Sequence, residues 1–153
     1  MGMARLVQLL AVFILILIFS VPTSAQTLNY DVLVDLDRNS ASGCDAAINP
    51  APNFVAGIER RVRATVDTST SMVTAVTLES CNGSSFDAPI NIGGVHPVGL
   101  NNGINASDVI EMAVSQAALA PGGNNPLQFI FVAQDATGSD LLDTEDGTQT
   151  GSS

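Results

Sequence analysis

The sequence contains no lysine and no tryptophan, and only one tyrosine (Tyr30), one histidine (His96) and two cysteines (Cys44 and Cys81) in 153 residues. Each shortage narrows what the chain does. Its five basic residues, all arginine, stand against fifteen acids, for a formal net charge of −10 at pH 7. That balance argues against nucleic-acid partners, because phosphate binding depends on Lys and Arg displacing counterions. Anionic membrane surfaces are disfavoured for the same reason, and cations are the natural small partners of such a surface. With no Trp and one Tyr, rings to line a sugar cleft are scarce. The single histidine sits in Gly93-Gly94-Val95-His96-Pro97, and no Gly-x-Ser-x-Gly elbow occurs anywhere in the chain. A Ser-His-Asp triad therefore lacks its sequence context. No Cys-x-x-Cys spacing marks a redox pair or a thiolate metal centre.

Long apolar runs are confined to one place. Residues 6–21 are almost unbroken Leu, Val, Ile, Phe and Ala, preceded by Arg5 and followed by Thr23-Ser24-Ala25 ahead of Gln26. A basic start, an apolar centre and a small-residue exit form the plan of a secretory signal peptide, with cleavage expected after Ala25. The rival, a retained anchor, needs about 20 apolar residues, and this run is shorter and ends in a Pro-Thr-Ser-Ala break. The expected organisation is a signal peptide over residues 1–25, one domain over 26–143, and a disordered tail of Gly, Thr, Ser and acid over 144–153. Once the leader is removed, Arg38, Arg60, Arg61 and Arg63 alone face the fifteen acids. In an exported chain the two cysteines are expected to join, closing a loop that stabilises the domain by about 3 to 4 kcal/mol.

The remaining chain reads as short β-branched and apolar runs punctuated by Gly, Asn, Ser, Asp and Pro. Strands are expected over 28–36 and over 59–68. In the second, Val62, Ala64 and Val66 alternate with Arg61, Arg63, Thr65 and Asp67. A turn over 67–71 leads into a strand over 72–80, making a hairpin. Further strands are expected over 86–92, 109–114 and 127–133, the last apolar on both faces and so central. One helical turn is placed at 117–120. A longer helix over 107–119, capped by Ser107, is the alternative, but two β-branched residues open that stretch. Six or more strands at this spacing predict an all-β, antiparallel sandwich. Asn82-Gly83-Ser84 and Asn105-Ala106-Ser107 match the glycosylation acceptor pattern and are also ordinary turns.

The stretch most suggestive of chemistry is Asp35-Leu36-Asp37-Arg38-Asn39-Ser40-Ala41-Ser42-Gly43-Cys44. Asp35, Asp37 and Asn39 alternate at a strand end, so their oxygens project to one side as the chain turns. Converging carboxylates repel unless a cation or a positive side chain compensates. Calcium suits them, because it accepts six to eight oxygens in loose geometry. The loop is not an EF-hand: the required Gly and Glu positions hold Ser40 and Ala46. A polar Asx turn neutralised by Arg38 or Arg60 remains the alternative.

The run Val32-Leu33-Val34-Asp35-Leu36-Asp37-Arg38-Asn39 to Gly43-Cys44, followed by Gly57-Ile58-Glu59, is similar to the N-terminal domains of bacterial exported IPTL-CTERM-type proteins. More distantly it resembles the DOMON-like sandwiches that include family-nine carbohydrate-binding modules. Val109-Ile110-Glu111-Met112-Ala113-Val114 through Leu119 resembles a later strand and turn of that family, and Gly138-Ser139-Asp140 its late acidic loop. The resemblance implies a single jelly-roll-like sandwich with structural calcium held by Asp35, Asp37, Asn39 and Glu59. It departs from the family in lacking the exposed Trp and Tyr on which sugars stack. The expectation is a secreted, calcium-stabilised, non-enzymatic domain at the cell envelope or outside the cell. Its partner would be a surface glycan or an envelope protein. A carbohydrate-binding module is the alternative, and a glycan-active hydrolase a more distant one.

Overall fold

The structure is a computed structural model that describes residues 26–99, 109–122 and 127–147. The signal peptide expected over 1–25, the sequence pattern at Asn105 and the last part of the expected tail, 148–153, lie outside the described residues. The described chain is all-β and antiparallel apart from one helical turn. Its strands are β1 (Thr27–Asp35), β2 (Cys44–Ala47), β3 (Phe54–Ile58), β4 (Arg60–Asp67), β5 (Met72–Ser80), β6 (Ile90–Asn91), β7 (Val98–Gly99), β8 (Val109–Ile110), β9 (Leu127–Gln134) and β10 (Ser139–Gly147). The helical turn, α1, spans Gln116–Leu119, and the Ser115 hydroxyl caps it by accepting from the Ala118 N–H.

Six strands form one sheet in the order β10-β9-β1-β4-β5-β6. β1 lies inside it because both of its edges find long partners: Val32 sits opposite Val62 of β4 on one side and Phe131 of β9 on the other. The β4–β5 hairpin forms as the alternation predicts, with Val62 opposite Leu78 and a bulge between Thr65 and Val66. The turn between them is held by the Asp67 carboxylate, which accepts from the Ser69 N–H at 2.8 Å.

Both faces of the sheet are covered, by different material. On one face Leu33, Ile130 and Val132 pack under Ala46 and Ile58 of the β2–β3 hairpin, with Val55 and Phe86 alongside. On the other, Val62, Ala64 and Val76 lie beneath Ile110, Met112, Val114 and Leu119. Val34, Leu127 and Ala120 extend that second layer. Burying a side chain such as Leu33 or Ile58 stabilises the fold by about 1.5 to 3 kcal/mol. The first face also carries a polar strip. Arg63 holds the buried Asp31 through two hydrogen bonds of 2.6 and 2.7 Å, and Gln134 donates to the same carboxylate. Arg61 pairs with Glu79 and lies over the Phe86 ring.

The all-β, antiparallel class is as expected, and the described strands form one six-stranded sheet flanked by the two-stranded sheets β2–β3 and β7–β8. Several expectations are revised. The strand expected over 86–92 shrinks to Ile90–Asn91, with Phe86 making only an isolated bridge to Cys81. Pro89 lacks an N–H to donate to a ladder, which interrupts the run. Strand β8 ends at Ile110, short of the expected 114, and the helical alternative is restricted to α1. Nor does the domain stop at 143, since β10 continues through Thr144 opposite Ile130 to Gly147 opposite Leu127. The outer edge of β9 has backbone donors and acceptors to satisfy, and the next segment supplies them despite its polar sequence.

Candidate metal centre

The loop after β1 is shaped by its own side chains. Asp35 Oδ1 accepts the N–H groups of Asp37 at 3.1 Å and Arg38 at 2.5 Å. Asp37 Oδ1 accepts the Asn39 N–H at 3.0 Å, and Asn39 Oδ1 accepts the Ala41 N–H at 3.1 Å. Every second residue thus turns the chain through the amide two positions on, as Asp and Asn do in Asx turns. The Ser42 hydroxyl closes the loop, lying 2.9 Å from Asp37 Oδ2 and 2.8 Å from the Asn39 carbonyl oxygen. Alternation at a strand end therefore has a structural use whatever else it does.

Glu59 enters from the junction between β3 and β4. Its backbone N–H donates to the Val34 carbonyl at 3.1 Å, and its own carbonyl accepts from the Cys81 N–H at 2.9 Å. These bonds set the side chain against the loop. Oε2 accepts the Leu36 N–H at 2.8 Å, whereas Oε1 is buried without a hydrogen-bond partner. Asp35, Asp37 and Glu59 each present a carboxylate oxygen, and these three atoms lie within 4.8 Å of one another. Asp35 is buried, Glu59 partly so and Asp37 exposed. Burial pushes the Glu59 carboxyl above the usual range, and the charges of Asp37 and Asp35 push the same way against the Leu36 hydrogen bond.

Two glycines make this approach possible. Gly57, at φ 78°, has no room for a Cβ, which would lie 2.6 Å from Ser40 Cα and 2.9 Å from the Asn39 carbonyl oxygen. A Cβ on Gly43, at φ 71°, would collide with Glu59 Oε1 and lie 2.8 Å from the Ile58 nitrogen. Next to Gly43, Cys44 is joined to Cys81 by a disulfide with Cα atoms 5.7 Å apart. The cysteine pairing expected from the sequence is therefore present. It ties the loop to the end of β5.

Of the four residues assigned to calcium, Asp35, Asp37 and Glu59 are gathered from two separate chain segments. Asn39 has a different visible task, since its amide oxygen is directed to Ala41. Arg60, named as a neutralising partner, donates through Nη1 to the Glu59 carbonyl at 2.9 Å. Ser42 and Gly43 carried no individual signal in the sequence, because contact with Asp37 and Glu59 arises only in the folded loop. The chemistry of the donors fits a hard cation: three clustered carboxylates, one of them with an orphaned buried oxygen, are ligands of the kind calcium accepts. Elsewhere, His96 Nε2 lies 3.3 Å from the Ile92 carbonyl oxygen. Phe86 is packed beneath Arg61, while Phe54 is exposed. No helix among the described residues is long and apolar enough to cross a membrane.

Comparison with models of known protein families, with curated proteins and with solved structures yields no match of any of the three kinds.

Proposed function

We propose that this chain is an exported, jelly-roll-like β domain with a binding or structural role outside the cytoplasm, stabilised by calcium. Asp35, Asp37 and Glu59 would hold the ion, with Asn39 as a further oxygen donor. Bound there, calcium supplies positive charge that offsets the mutual repulsion of the carboxylates. The chain's own part is to bring the end of β1 and the head of β4 together and keep them there. The carrying observation is the convergence of three carboxylates around a Glu59 oxygen that is buried and unpartnered. Burying a charged oxygen without a partner costs several kcal/mol, so a fold that does this gains most from a cation. Export is supported by the leader-like residues 1–25 and by the disulfide, which persists in oxidising compartments.

Thermal unfolding of the oxidised protein in EDTA and in millimolar calcium tests the reading. A ligand at 100 times its dissociation constant stabilises the folded state by about 2.7 kcal/mol, a rise of several degrees for this size. Asp37→Ala is the informative partner, because Asp37 is exposed and its loss leaves the core intact. A calcium-dependent rise absent from Asp37→Ala supports the site. No rise in the unaltered protein reduces the cluster to a polar turn.

A further inference from the structure

Beyond the metal loop, the structure assigns a self-modification site to the loop that follows β5: we infer that Asn82 deamidates in the folded protein. Cys81 and Phe86 bridge across the base of this loop, and Asp87 donates its N–H to the Ser80 carbonyl at 2.8 Å. Asn82, Gly83, Ser84 and Ser85 form the exposed tip between them. Gly83 carries no side chain to shield its nitrogen, and even an added Cβ would meet nothing within 4 Å. The nitrogen next to Asn82 is therefore uncovered by any side chain of its own residue, and its N–H donates to the Cys81 sulfur, a weak acceptor, at 3.2 Å.

The side-chain amide of Asn82 is held by hydrogen bonds at both its oxygen and its nitrogen. Its Oδ1 accepts from the Ser85 N–H at 3.2 Å and from the Ser84 N–H and hydroxyl, both at 3.3 Å. Three donors on one amide oxygen draw electron density from Cγ and stabilise the oxyanion that forms there. At the other end, Nδ2 donates to Asp87 Oδ1 at 3.0 Å. The reaction needs no partner except water. The Gly83 nitrogen bonds to Asn82 Cγ, and the Cγ–Nδ2 bond breaks. Nδ2 leaves as ammonia, carrying the proton that Gly83 gives up. Water then opens the resulting imide at either carbonyl, leaving aspartate or isoaspartate at position 82. The new carboxylate replaces a donor with a negative charge opposite Asp87, beside the disulfide at Cys81. Asn82 thereby becomes a time-dependent point of charge on the surface.

The test is peptide mapping by mass spectrometry with isoaspartate detection, on oxidised folded protein held at mildly alkaline pH. The same chain, reduced and unfolded in urea, sets the reference rate. Conversion of Asn82 in the folded protein within about tenfold of that reference is expected. Ser84→Ala removes one of the three donors and should slow the folded protein by about tenfold, with no effect in urea. That is less than the roughly hundredfold loss in a dry oxyanion hole, because this loop is wet. An Asn82 that stays intact in the folded protein while the urea sample converts overturns the proposal. Equal rates for the folded protein and its Ser84→Ala variant remove the assigned role of the donors and overturn it as well.

Discussion

Glu59 concentrates the tension of the molecule in one carboxyl. Its Oε1 is buried without a partner, and burial first, then Asp37 and Asp35, raise its proton affinity above the ordinary value of 4.5. A carboxyl whose folded pKa is raised binds more protons folded than unfolded, so its contribution to stability falls as pH rises. In calcium-free protein the loss runs from about pH 4.5 upward through the raised folded value. Calcium should flatten this slope, because it stabilises the ionised form. Glu59→Gln makes the sharper test: it should remove the slope in EDTA, leave the metal-free protein at least as stable at neutral pH, and abolish any calcium response. Urea unfolding across pH 4 to 8, with and without calcium, measures all three. If Glu59→Gln instead costs stability at neutral pH in EDTA, the carboxylate is paired by something other than a metal.

At the scale of elements, the loop after β1 and the end of β3 are locked by backbone contact more than by side chains. Gly57 sits at φ 78° against Ser40 and the Asn39 carbonyl. Gly57→Ala brings a left-handed penalty of about 1 to 2 kcal/mol before any clash is counted. The clash itself is with backbone, which cannot rotate away, so the expected total destabilisation is about 3 kcal/mol or more. Chemical denaturation gives this directly, and calcium affinity should fall in the same variant because Glu59 lies two residues on. A cost below 1 kcal/mol would mean that the loop swings clear of β3 at little expense. The neighbouring β4–β5 hairpin needs no such device. Its alternating Val62, Ala64 and Val66 select one register by burying one face.

For the whole molecule, the problem is to keep an acidic chain compact with a thin covering over both faces of one sheet. The Cys44–Cys81 disulfide spans 37 residues and encloses β2, β3, β4 and β5, with Glu59 between β3 and β4. Loop-closure entropy for a span of that length amounts to about 4 kcal/mol. The double substitution Cys44→Ser with Cys81→Ser should therefore lower stability by about 2 to 4 kcal/mol, read as the denaturant midpoint against the oxidised parent. It should also weaken the response to calcium, because Glu59 shares a hydrogen bond with Cys81 and lies against Gly43. Unchanged stability would show that β2 and β3 hold their place by packing alone.

How much of this was legible in the sequence depended on the range of the interaction involved. Period-two alternation is local, so β1, β4, β5 and β9 and the antiparallel all-β class could be read from residue order. So could the cysteine pairing, because two thiols in a chain expected to be exported have one simple solution. The Asp35, Asp37 and Asn39 spacing was visible, yet it reports a run of Asx turns as readily as a ligand set. Folding decided the rest. The β2 and β3 strands are too short and too poor in apolar alternation to announce themselves, and they form because the Leu33 face must be covered. β10 is strand because β9 leaves an unpaired edge, although its own composition reads as tail. Glu59 belongs with Asp35 only because β1 and β4 pair in one register, a non-local choice made by burial of Leu33, Val62 and Val132. Residue chemistry acts at each position by itself, whereas coverage of a face and satisfaction of an edge are properties of the assembled sheet.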